Sequence, residues 1–363
     1  MTLALYCPEC GYYETERDTT GHRGDFYTSV SVGPVFGALL AFQFAAWLQI
    51  EATIQNSVVT IVEAGAHDGR LARDILTWLK KRRPALFART EYCIVEPSAR
   101  RRAWQMESLH DLTPRVHWFA DLRSLGQSAA AGLRGIFFSN ELLDALPVHR
   151  LGWDAKRRAW FEWGVTLVHE HFVWTRLEDY PPQRSADCLP GTIAWAALPA
   201  LRDLPPGLLD VLPDGYTTEV CPAAADWWHE AASVLHRGKL LTLDYGLTTE
   251  EFFAPQRRNG TLRAYRNHQV SGDVLDCPGG QDLTAHVDFT AIQQAGVAAG
   301  LNTEALFSQA RFLTAIAQDA WQAENDFGPW TPEHTRQFQT LTHPNHLGRA
   351  FQVLIQSRGD CSS

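Results

Sequence analysis

From Val58 onward the chain alternates between short apolar runs and amphipathic stretches, and this constrains its fold more than any other feature. The runs VVTIVEAG, EYCIVEP, VHWFAD and GIFFSN read as buried strands, with helices predicted at 70–82 and 99–109 between them. Strands that alternate with helices predict an α/β fold, a mostly parallel, doubly wound, Rossmann-like sheet. A helix at 223–235 and the strand GKLLTLDYG bring the chain back to that sheet, and LNTEALFSQ with RAFQVLIQ suits an antiparallel closing pair. The pattern divides the chain into four parts. Residues 1–57 form an N-terminal lid and helix, and 58–146 the first half of the core. Residues 147–221 form a β-rich and helical insertion suited to substrate docking. Residues 222–363 complete the core, with a loop-rich segment at 247–288.

At 363 residues and 45% apolar content the chain can bury a sizeable core. Its net charge of -9 argues against a nucleic-acid partner, which requires a basic footprint. No apolar stretch reaches the ~20 residues of a membrane span. Seven scattered cysteines predict reduced thiols, and the N-terminus MTLALYCPECGYY lacks the basic start of a signal peptide, so a cytoplasmic location is expected. Cys7 and Cys10 have C-x-x-C spacing but no second ligand pair, and His169-Glu170-His171 has no third ligand, so no metal is expected.

The first strand ends in the turn Glu63-Ala64-Gly65-Ala66-His67-Asp68-Gly69. This is neither the G-x-G-x-x-G of a dinucleotide site nor a P-loop. An acidic strand end followed by a glycine turn suits S-adenosylmethionine, which has no phosphates but carries an ammonium and a sulfonium. Glu63 could hold the ammonium while Gly65 and Gly69 let the backbone pass close to the ligand. Glu96, ending the second strand, could accept the ribose hydroxyls, and Asp121, ending the third, the adenine amino group. For Asp121 a plain helix N-cap is an equal alternative.

The blocks GDFYTS, FFSNELLDALPVHR, LTLDYG, GTLRAYRNH, DLTAHVDFTAI and HPNHLGRAFQVL, in this order, resemble the MidA-like family of class I S-adenosylmethionine-dependent methyltransferases. The resemblance runs from about Tyr6 to Leu354. It implies a class I methyltransferase fold and an S-adenosylmethionine cofactor. It also implies, from the mitochondrial members that assist complex I assembly, a protein arginine as methyl acceptor. Where the family has a middle glycine in this turn, His67 stands here.

Methyl transfer to a guanidinium calls for a carboxylate that orients one nitrogen and localises the positive charge on another. Glu141, in SNELLDALP, is the first candidate for that clamp, with Asn140 positioning donor or substrate. Asp144 could share a helical face with Glu141 or act only as a cap. Asp244 of DYG and His268 are candidate proton acceptors, His268 having a structural loop role as its alternative. RGDFYTS is expected to fold over the cofactor, with Gly24 turning, Phe26 and Tyr27 excluding water and Thr28 bonding the ligand. A non-catalytic assembly factor that retains the fold is the alternative function, kept open by His67, and a small-molecule methyltransferase a weaker one. A homodimer is compatible with either.

Overall fold

The structure is a computed structural model describing residues 1–15, 28–55, 58–129, 132–177, 201, 204, 206–266, 269–271, 273–344, 346–348 and 350–359. The strands are β1 Val59–Ala64, β2 Thr90–Val95, β3 Val116–Phe119, β4 Leu133–Asn140, β5 His149–Asp154, β6 Ala159–Val168, β7 His171–Leu177 and β8 Thr217–Val220. They continue with β9 Leu235–Leu247, β10 Arg263–Arg266, β11 Gln269–Ser271, β12 Asp282–Thr284, β13 Val287–Asp288, β14 Asn302–Ser308 and β15 Phe351–Arg358. The central sheet runs β14-β15-β9-β4-β1-β2-β3, with β13 beside β9. β15 lies antiparallel between β9 and β14, while β1, β2, β3, β4 and β9 pair in parallel. The sheet is thus mostly parallel with an antiparallel closing strand, as the alternation predicts.

Two-residue periodicity sorts the strand side chains onto opposite faces. Ile61, Phe138 and Leu241 pack against the helices Val35–Gln55, Arg70–Arg82 and Gln309–Gln322. Their neighbours Val62, Phe137 and Leu240 face Leu122–Ser128, Pro222–Val234 and Phe289–Ala298. Burial of each phenylalanine is worth about 1.5–3 kcal/mol, so the strand that ends at the site is strongly anchored. Among the described residues no helix is long and apolar enough to cross a membrane.

β5 to β8 form a separate antiparallel sheet, in the order β7-β6-β5-β8. Its own cluster includes Leu151, Trp153, Tyr216 and Phe253. His169 and Glu170 are the two positive-φ turn residues of its β6–β7 hairpin, at 46° and 65°, a local role that accounts for this stretch of the HEH triplet. The segment expected to be loop-rich, 247–288, instead carries the three-stranded sheet β11-β10-β12. Its strands of three and four residues are too short for a periodicity signal. The N-terminal residues Leu5 and Tyr12 pack on Ala264 and Leu283 of this small sheet, which brings the start of the chain across the strand ends.

Candidate active site

A cleft of about 410 Å³ opens at the carboxyl ends of β1 to β4. Glu63, Gly65, His67, Glu96, Asp121, Thr28, Asn140, Glu141 and Asp144 all line it, so most of the candidate residues converge. Two do not join them. Gly69 is the residue preceding the helix Arg70–Arg82, its φ of 81° turning the chain into that helix. Asp244 is fully buried and lies behind the wall of the cleft. His268, with Gly24, Phe26 and Tyr27 of the expected lid, lies outside the described residues.

The strand-end acids have different surroundings. Glu63 accepts the Tyr92 hydroxyl at 2.6 Å, and burial pushes its carboxyl up to about 8. Glu96 accepts the Ser98 N–H at 3.0 Å and the Gln105 amide at 3.2 Å, and burial raises it as well. Asp121 caps the helix Leu122–Ser128 by accepting the Ser124 N–H at 2.7 Å, which holds it below the ordinary carboxylate range. The cap alternative is therefore realised at Asp121, which still borders the cleft. Gly65 has a φ of 73°, and a Cβ there would come within 2.9 Å of Leu142, so the turn needs glycine at that point. His67 adopts a φ of 46° with its side chain on the cleft wall.

After β4 the chain does not enter a helix that would align Glu141 with Asp144. Glu141 has a φ of 54°, and only a short 3-10 turn, Leu143–Ala145, follows. The reason is Asp244: its carboxylate accepts the N–H groups of Leu142 at 3.1 Å, Leu143 at 2.8 Å and Tyr245 at 2.8 Å. Asp244 is therefore a brace for the turn and not a proton acceptor at the cleft, although burial pushes it up to about 7. The braced turn aims Glu141 and Asp144 into the cleft from one side of β4.

Glu141 Oε1 accepts the Ser29 N–H at 3.0 Å and the Asn140 amide at 2.9 Å, and burial pushes the carboxyl up to about 8. Asp144 is raised well above its ordinary value by burial and then by the charges of Asp244 and Asp282. Thr28 and Ser31 close a small turn through mutual hydrogen bonds at 3.0 Å, which places Ser29 for its contact with Glu141.

Several cleft residues were not anticipated from sequence. Asp282 opens β12 and accepts the Tyr13 hydroxyl at 2.7 Å. Tyr6 donates to the Ala145 carbonyl at 2.8 Å, and Tyr245 and Tyr265 complete an aromatic wall. Arg101 holds the N-terminal segment by donating to the Tyr13 carbonyl at 3.0 Å, with its guanidinium 5.2 Å from the Tyr13 ring centre. Tyr6 and Tyr13 flank the C-x-x-C stretch, and Asp282 begins the DLTAHVDFTAI block, but only the fold brings them together.

The buried Asn140 Oδ1 has no hydrogen-bond partner among the described residues. A buried acceptor without a donor is costly, so this atom points to a donor supplied by a ligand. With the carboxylates at the strand ends and the glycine turn, the residues fit an adenosyl, amino-acid-bearing cofactor.

Comparison with known proteins agrees. A family model described as "Putative S-adenosyl-L-methionine-dependent methyltransferase" matches residues 39–306. The chain is 28% identical over 318 residues to "Protein arginine methyltransferase NDUFAF7, mitochondrial" of Mus musculus, covering 81% of this chain and 64% of that protein's length. It is 25% identical over 385 residues to the Drosophila melanogaster homolog of the same name, covering 99% of this chain and 80% of the relative. A Burkholderia thailandensis protein whose crystal structure holds S-adenosyl-homocysteine superposes with a TM-score of 0.77 at 30% identity, covering 98% of this chain and 86% of its own. The fold is that of the class I methyltransferases, and the chain belongs to this S-adenosyl-L-methionine-dependent methyltransferase family.

Proposed function

We propose that this protein transfers the methyl group of S-adenosylmethionine to a guanidinium nitrogen of an arginine in a protein substrate. The observation that carries the reading is the group of Glu141, Asp144 and Asp282 on the cleft wall beside the unpartnered Asn140 Oδ1. Glu141 and Asp144, whose proton affinity burial raises, are destabilised as anions, and a bound cation offsets that cost. A planar guanidinium with five N–H donors matches several acceptors at once, better than an ammonium does. The names of the NDUFAF7 relatives support the same acceptor.

The cofactor supplies an electrophilic methyl carbon. Glu63, Gly65, Glu96 and Asp121 would hold it along the strand ends, with Thr28 closing over it. Glu141 orients the attacking nitrogen and keeps the positive charge on the other two. As the nitrogen attacks, the carbon–sulfur bond breaks, and the proton lost from nitrogen passes to a carboxylate of the Glu141–Asp144–Asp282 group. The tyrosines of the wall keep bulk water from that proton.

We propose a cytoplasmic location, in keeping with the odd, scattered set of seven cysteines. The net charge of -9 supports a protein partner over nucleic acid. One observation favours a second reading, binding without turnover: the His67 side chain occupies the turn where the family has glycine. Calorimetry with S-adenosyl-homocysteine and transfer of labelled methyl from S-adenosylmethionine to arginine peptides separate the two. Label that stays on arginine through acid hydrolysis supports the enzyme. One-site binding with no transfer to any peptide or protein refutes it in favour of the second reading.

A further inference from the structure

A second chamber, of about 390 Å³, lies between the inserted sheet and the core. The helices Pro222–Val234 and Phe289–Ala298 line its floor largely with alanines, Ala224, Ala225, Ala291, Ala295 and Ala298, beside Ile292 and Gln294. Phe252 and Phe253 supply aromatic walls, and Thr218 to Val220 of β8 supply the other side. Packed interiors rarely keep voids much larger than a water molecule; among the described residues this space is open and wide enough to receive a side chain.

Two features indicate which one. His286 lines both this chamber and the active-site cleft, so a chain seated in one reaches the other. An extended chain advances about 3.3 Å per residue, which puts two side chains separated by one shared wall within a few residues of each other. The chamber is also not purely apolar. Glu219, 5% exposed, lines it; one carboxylate oxygen accepts the Thr261 N–H at 2.5 Å and its hydroxyl at 3.1 Å. The other, Oε1, lies 3.6 Å from Arg150 Nε without a hydrogen bond, and His286 Nδ1 is buried without one as well. The Arg150 ion pair already answers the charge of Glu219. What the chamber lacks is a neutral group with an apolar body and a hydrogen-bonding tip.

We propose that this chamber is a specificity subsite that takes an aromatic side chain with a polar tip, tyrosine or tryptophan, from the substrate protein, a few residues from the methylated arginine. The proposal rests on the protein-arginine reading of the cleft and adds the sequence context that selects the arginine. A carboxylate has no donor to offer Glu219 Oε1, and small side chains leave the space unfilled.

The test uses the full chain and nonapeptides with one central arginine, each flanking position set in turn to Ala, Leu, Tyr, Trp, Lys or Glu. Methyl transfer from labelled S-adenosylmethionine is measured for the wild type and for Ala291→Phe and Ala295→Phe, which fill the chamber. Using both positions lets one decide if the other fails to fold. At one flanking position the wild type should prefer Tyr or Trp over Ala by about tenfold or more in kcat/KM. The filled variants should lose that preference through KM, with kcat on the alanine peptide and S-adenosyl-homocysteine affinity unchanged. Wild-type transfer to arginine with no flanking preference, or filled variants that keep the preference, overturns the subsite alone. Cofactor binding with no transfer to any of the peptides overturns the arginine reading and the subsite with it.

Discussion

Replacing Glu141 by glutamine separates charge from shape at the centre of the cleft. The amide keeps an oxygen able to accept the Ser29 N–H and the Asn140 amide, now at 3.0 and 2.9 Å, and removes only the ability to ionise. In the wild type, burial holds this carboxyl at about 8 against an ordinary 4.5. An acid raised in this way binds its proton more tightly in the folded chain than in the unfolded one. Between the two values the unfolded chain has released its proton and the folded one has not. Wild-type stability is therefore fully present below 4.5, falls as pH rises through about 8, and levels off above it. Each tenfold change in proton affinity is worth about 1.4 kcal/mol, so Glu141 weakens the ligand-free fold by up to about 5 kcal/mol on the alkaline side. Urea denaturation of both proteins without ligand should give nearly equal stabilities at about pH 5. The variant should lead by about 3–5 kcal/mol at about pH 9. On the proposed reading its methyl transfer should fall by about a hundredfold or more, since the group that would orient the guanidinium has lost its charge. Two stability curves that run parallel from pH 5 to 9 would refute the burial argument, and with it the claim that the site is poised for a cation.

Asp244→Asn tests the brace: an amide cannot accept at all three N–H groups, so one donor faces an NH₂. That should cost about 1–3 kcal/mol of stability in thermal unfolding, and lower transfer more than cofactor affinity because the Glu141–Asp144 turn loses its anchor. Unchanged turnover in a folded variant would show that the turn holds itself. His67→Gly removes a side chain from the cofactor turn and relieves a left-handed conformation that costs a non-glycine residue about 1–2 kcal/mol. S-adenosyl-homocysteine should then bind several-fold tighter by calorimetry, and weaker binding would mean that His67 is a ligand contact.

What was legible from sequence is what depends on near neighbours. The strand–helix alternation is carried by the two-fold and 3.6-fold periods of each segment. The glycine turn is legible because few residues tolerate a φ near 75°. The carboxylates were legible as positions but not as roles. Glu63, Glu96, Asp121 and Asp244 all stand at strand ends or just beyond them, or in Asp244's case near one, and nothing within a few residues tells them apart. Tyr92 takes up Glu63, Gln105 and Ser98 take up Glu96, a helix start takes up Asp121, and the turn after β4 takes up Asp244. Tyr92, on the neighbouring strand, and the turn after β4, 101 positions from Asp244, lie outside any local window. Asp282 and Tyr13 are more extreme: they lie 269 positions apart and meet only because the N-terminal segment packs on β10 and β12.

The same long-range assembly explains why the site is acidic beyond what a fold would keep for itself. Glu63, Glu141 and Asp144 are all pushed toward the neutral form by burial, and the last two also by Asp244 and Asp282. A core selected for stability alone would replace such groups with apolar ones. Their retention makes the ligand-free protein least stable at the pH where a cation would bind best. On the proposed reading, binding a guanidinium, or the sulfonium and ammonium of the cofactor, would let the carboxyls ionise and return that stability. The free energy withheld from folding thus becomes selectivity for positive charge, and ligand-induced stabilisation should grow as pH rises from about 5 to 8.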